Sequence, residues 1–176
     1  MNLTNKLKNC KKLAIVGVGN EMKGDDGFGI KVIKNLLNHY KKIYPNIDEN
    51  KEVNIIDNKL ILINSGVVPE NFTDILKKEK PTHILIIDAA IMGKNYGDID
   101  IINPDDIDEI HFSTHSLPMS LIVKYINYYI NTDVVIIGIE PICLDFGKKL
   151  SPLILKKCDD FTKDLINICD SFLNKM

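Results

Sequence analysis

The sequence predicts an α/β fold, a three-layer sandwich in which a mostly parallel, twisted sheet carries helices on both faces. Two observations carry that prediction. Four short runs rich in Ile and Val, KLAIVGV (12–18), KLILIN (59–64), HILIIDAA (83–90) and DVVIIGIE (133–140), are almost continuously apolar and bounded by Gly, Asn, Asp or Pro. That is the pattern of strands buried on both faces. Between them lie segments with helical periodicity, and alternation of strand and helix is the signature of a doubly wound sheet.

In chain order, the first run predicts strand one, and Ile33, Leu36, Leu37 and Tyr40 recur at i, i+3, i+4 and i+7, predicting the first helix. The polar stretch 41–58 reads as an exposed connection with room for a short strand of its own. A short helix is expected from Pro69 to Glu79, a longer one from about Pro118 to Ile130, and YGDIDIIN (96–103) adds a possible extra strand. Ser151 and Pro152 start the last helix, whose stripe is Ile154, Cys158, Phe161, Leu165, Ile168 and Phe172. A chain of 176 residues is the right size for one domain, taken here as 1–176.

Composition narrows the function classes. Hydrophobic residues at 45% and charged residues at 26% are ordinary for a globular domain. A formal charge of -2, with lysines scattered among acids, gives no footprint for nucleic acid. The chain contains no arginine, so bidentate guanidinium recognition of phosphate or carboxylate is closed to it. No segment approaches the roughly 20 apolar residues that span a bilayer, and the basic N-terminus runs into a strand without a signal-peptide cleavage site. No membrane partner is expected, and the cytoplasm is the expected location. Cys10, Cys143, Cys158 and Cys169 form no C-x-x-C pair; Cys158 and Cys169 fall on the apolar stripe of the last helix and read as small buried side chains.

The chemistry concentrates at strand ends, where open α/β sheets bind ligands. The first strand leads into GVGNEMKGDDGFG (17–29), which begins like a phosphate loop but fails the dinucleotide fingerprint, because Met22 stands where its third glycine belongs. Asp25 and Asp26 lie where a phosphate would sit, and paired carboxylates repel an anion. Gly17, Gly19 and Asn20 suit a tight turn; Gly27 and Gly29 allow close backbone approach. Past HILII comes Asp88, and before the helix at 118 comes His115. Asp26, Asp88 and His115 are hard and borderline donors for zinc, nickel or manganese. Their alternatives are a helix cap for Asp26 and a turn residue for Asp88. His39, His83 and His111 are weaker candidates, on a helix, at a strand start and in a segment without clear pattern.

GVGNEMKGDDGFG resembles the N-terminal signature of the hydrogenase maturation endopeptidases, and VPENF (68–72), PTHILIIDAAIMGKNYGDIDIINPDDI (81–107), STHSLPMSLI (113–122) and VVIIGIEP (134–141) follow in that family's order and spacing. The match covers Leu13 to Pro152 and is most similar to the branch serving formate-hydrogenlyase-type hydrogenases. The resemblance implies an endopeptidase that removes a C-terminal extension from the large-subunit precursor of a nickel-iron hydrogenase. It implies that Asp26, Asp88 and His115 are the metal-binding and catalytic residues, and that the ion is nickel already seated in the precursor; other divalent metals fit the same donors. Asp25 is left as support beside the metal, as a charge favourable to the helix dipole, or as an acid that activates water. Asn64 and Ser65 depart from the acid and glycines usual in this branch, and ICLDFGKKLSP (142–152) is only loosely similar. A nickel-sensing chaperone without peptidase activity would keep the same three ligands, and a nucleotide-binding module is opposed by the missing glycine and the paired acids.

Overall fold

The computed structural model describes residues 2–103, 106–107, 110–112 and 117–173, with the side chains of His111 and Phe172 outside that description. Among the described residues seven strands form one sheet: β1 (Leu13–Gly17), β2 (Val53–Ile56), β3 (Leu60–Asn64), β4 (His83–Ile91), β5 (Ile99–Ile102), β6 (His111–Phe112) and β7 (Asp133–Ile139). The helices are α1 (Leu3–Lys6), α2 (Phe28–Tyr40), α3 (Thr73–Glu79), α4 (Met119–Tyr129) and α5 (Pro152–Leu173), with 3-10 turns at Gly24–Gly27 and Pro69–Phe72.

The strand order is β2-β3-β1-β4-β7-β5, with β6 pairing with β4 off that path. The central strands β3, β1, β4 and β7 are mutually parallel. Antiparallel β2 and β5 close the two edges. The predicted parallel sheet is thus its core, and the sheet as a whole is mixed. All four predicted runs are strands, and both short extra strands exist at the edges. The sheet faces sort by alternation: Leu13 and Ile15 join α2 and α5 in one core, while Ala14 and Val16 join α3 and α4 in the other. Helices therefore cover both faces.

α2 and α5 pack together, with the Phe28 and Phe161 rings 6.1 Å apart. The α5 stripe runs through Ile154, Cys158, Phe161, Leu165, Cys169 and Leu173, all buried, with Ile168 on its margin. Burying each large side chain of this kind stabilises by about 2 kcal/mol. The stripe predicted from sequence drifts one residue near the helix end, because 3.6 residues per turn carries the buried face from 168 to 169.

This topology fixes where the sheet is open. From β1 the chain moves through α2 toward β3 on one side, and from β4 it moves toward β7 on the other. The connections that leave their carboxyl ends run to opposite sides, so the β1–β4 junction is the topological switch point, where a crevice for ligands is expected in doubly wound sheets.

Candidate functional site

Two of the three predicted residues border that crevice. In the β1–β4 register Gly17 pairs with Ile87, so Asp88 is the first β4 residue beyond β1. The Gly24–Gly27 turn that carries Asp26 packs against β4. Both carboxylates have 0% exposure. His115, the third predicted ligand, lies outside the described residues; β6, before its segment, pairs with β4, and α4, after it, packs in the second core.

Asp88 does not end its strand, as the sequence suggested. β4 continues to Ile91, because Ala89 still pairs with Ile139 of β7 and Ala90 and Ile91 pair with β6. Asp88 Oδ1 accepts a hydrogen bond from the Ala89 N–H at 2.8 Å. Nor does Asp26 cap α2: the capping residue is Gly27, with no side-chain bond. Instead Asp26 Oδ2 accepts from the Asn20 N–H at 2.7 Å, drawing the glycine turn around the carboxylate.

Glycine is required at this turn for reasons of space. Gly19 has φ 135°, and a Cβ there would lie 1.8 Å from the Asp26 carbonyl oxygen. At Gly29 a Cβ would come within 2.2 Å of the Ile87 oxygen and 2.5 Å of the Val18 oxygen, so α2 approaches β1 and β4 as closely as backbone allows. The Gly-rich loop presses a buried acid against the end of β1.

Asp25 has a further role that the sequence did not suggest. Its Oδ1 accepts from the Ser151 N–H at 2.6 Å, and its Oδ2 accepts from the N–H groups of Ile142 and Cys143 and from the Ser151 hydroxyl, each at 2.9 Å. Both oxygens face the loop between β7 and α5, and the side chain is wholly buried. An acid engaged by four donors of the β7–α5 loop holds that loop in place. The neighbouring acids of GDDG are thus split between structure, Asp25, and the crevice, Asp26. Glu140, at the end of β7, was not singled out by sequence; it is 5% exposed and accepts from the Met92 and Lys94 N–H groups at 2.7 and 3.1 Å, tying down the β4–β5 connection. Its signal was available, as one acid closing an apolar run.

Ser65, one of the two departures, and the neighbouring Gly66 bond the glycine turn. The Ser65 hydroxyl donates to the Gly17 carbonyl at 2.9 Å, and the Gly19 N–H donates to the Gly66 carbonyl at 2.9 Å. Of the weaker candidates, His83 Nε2 lies 3.4 Å from Asp133 at the opposite, amino edge of the sheet, and His39 packs on the Tyr40 ring, while the His111 side chain lies outside the described residues. An apolar hollow of about 580 Å³ beside α4, lined by Leu117, Leu121, Tyr125 and Tyr129 among others, includes neither carboxylate in its lining.

A family model described as hydrogenase maturation protease matches residues 30–168, most of the chain. The chain belongs to the hydrogenase maturation protease family. By that membership it is a protease. A candidate hydrogenase maturation protease of Methanocaldococcus jannaschii is 54% identical over 144 residues, spanning 82% of this chain and 80% of that protein. The hydrogenase 3 maturation protease of Escherichia coli is 32% identical over 130 residues, 73% of this chain and 72% of that one. The fold agrees: a nickel-iron hydrogenase maturation protease from Thermococcus kodakarensis superposes with a TM-score of 0.79 at 23% identity, covering 96% of this chain and 98% of that one. Among the described residues, no helix of this protease is long and apolar enough to cross a membrane.

Proposed function

We propose that this protease removes the C-terminal extension from the large-subunit precursor of a nickel-iron hydrogenase, and that it touches the nickel seated in that precursor through Asp26, Asp88 and His115. The observation that carries the reading is that two wholly buried carboxylates, Asp26 and Asp88, lie at the β1–β4 junction, one in the turn that packs against β4 and one on β4 just beyond β1, in a member of a protease family. Carboxylates are the oxygen donors a divalent cation takes, and an imidazole from the segment before α4 makes the set one that suits nickel. The nickel belongs to the substrate. Its role is to report that the precursor is loaded before the peptide bond is cut.

Hydrolysis requires a water made nucleophilic and a developing oxyanion stabilised. With Asp25 committed to the β7–α5 loop, Asp26 is the acid of the glycine turn left to orient and deprotonate that water. Asp88 holds the opposite wall. The test is to mix the purified protein with nickel-loaded and nickel-free precursor and weigh the products by mass spectrometry. Loss of a C-terminal peptide from the loaded precursor alone supports the reading; equal cleavage of both removes the nickel check, and binding without mass loss favours a chaperone.

A further inference from the structure

The loop between β7 and α5 (140–151) is fastened to the turn that carries Asp26. Besides the bonds onto the Asp25 carboxylate, the Asp25 N–H donates to the Cys143 carbonyl at 2.8 Å, Gly24 to Lys148 at 3.1 Å, and Gly147 to the Met22 carbonyl at 2.7 Å. Gly24 has φ 56°, and a Cβ there would sit 2.4 Å from the Cys143 oxygen, so the two segments lie in backbone contact. Such a loop has little freedom. Yet Phe146 is 73% exposed, next to the Gly147 that bonds Met22, and Met22 and Ile142 on the same joined segments are 58% and 43% exposed. A flexible loop can shield an aromatic ring by folding over it; one pinned from both sides displays the ring permanently.

We infer that Met22, Ile142 and Phe146 form a docking rim for apolar side chains of the hydrogenase precursor next to the bond that is cut. The inference rests on the reading of Asp26 as part of the peptidase site. Continuity with that site selects the occupant: Met22 stands four residues before Asp26, Ile142 donates its N–H to Asp25, and Gly147, next to Phe146, donates its N–H to Met22, so all three side chains stand on the two segments joined at the Asp25–Asp26 turn. Rigidly presented aromatic and Met side chains are also the residue types that carry protein–protein contacts, because little conformational entropy is lost when they are covered. The function of Asp25 follows: it positions the rim relative to the crevice.

The test is the double variant Met22→Ser, Phe146→Ser, assayed with the purified large-subunit precursor by mass spectrometry across a range of precursor concentrations. Both side chains are exposed, so the thermal midpoint and circular dichroism should match wild type. KM is expected to rise on the order of tenfold with kcat within about twofold, and Phe146→Leu to restore most of the loss. An unchanged KM, or a fall in kcat alone, overturns the rim. So does sedimentation showing a wild-type dimer that the double variant dissolves, since the rim would then bind a second copy of this chain. Should wild type cleave no precursor, the peptidase reading fails separately. The dissociation constants of the unprocessed precursor for wild type and double variant then decide the rim: a rise of about tenfold in the variant upholds it, and equal values overturn it.

Discussion

At the scale of single residues, the two neighbouring acids of GDDG should behave as opposites. Asp26→Asn keeps an oxygen to accept the Asn20 N–H and should leave the urea midpoint within about 1 kcal/mol of wild type while cutting precursor processing by about 10³-fold or more. His115→Ala should give the same folded, inactive protein. Processing at a normal rate by either folded variant would remove that residue from the site. Asp25→Ala should do the reverse, because it strands the N–H groups of Ile142, Cys143 and Ser151 in a buried site. The expected loss is about 3 kcal/mol or more in urea denaturation, and an unchanged midpoint would show that the loop does not depend on the carboxylate. Sequence could place this pair in the turn but could not divide it. Asp25's partners lie more than a hundred residues away, and no local pattern announces them.

At the scale of elements, α5 offers a titration of its own. Burial pushes the thiols of Cys158 and Cys169 up from an ordinary 9.0 to about 12 each, because a thiolate on the inner face of the helix would be stripped of water. A raised folded-state pKa means that the neutral thiol stabilises the fold fully below pH 9, and that this contribution is lost as pH climbs from about 9 to about 12. Three units correspond to about 4 kcal/mol per thiol as an upper figure. Urea midpoints measured between pH 8 and 11 should fall steeply in wild type and less steeply in Cys158→Ala, Cys169→Ala; parallel curves would contradict the burial. The long, continuous strands and the helices with clear stripes were legible because each buries one recognisable pattern. β2 was hinted at only as a strand within a polar connection, since an edge strand buries alternate residues, here Asn54 and Ile56. α1 and β6, of four and two residues, are too short to carry a period at all.

At the scale of the whole molecule, the candidate site exists only when the sheet is assembled. Asp26, Asp88 and His115 come from segments far apart in the chain, and the sequence could nominate them because strand ends are identifiable; that Asp26 and Asp88 share one crevice follows from the strand order β3-β1-β4-β7, which no single segment encodes. A divalent ion held by all three therefore binds the folded state and not the unfolded chain, and must stabilise it by mass action. Nickel or cadmium added to the free protein at about a hundred times its dissociation constant should contribute about 2.7 kcal/mol. For a domain of this size that corresponds to a rise of roughly 5–10 °C in the thermal midpoint, reversed by a chelator. The comparison that decides the assignment is among variants. Asp26→Asn, Asp88→Asn and His115→Ala should each lose most of the metal-dependent rise while Asp25→Ala, although melting earlier, should retain it. A rise that survives in Asp26→Asn and Asp88→Asn would place the ion elsewhere and detach the buried carboxylates from metal recognition.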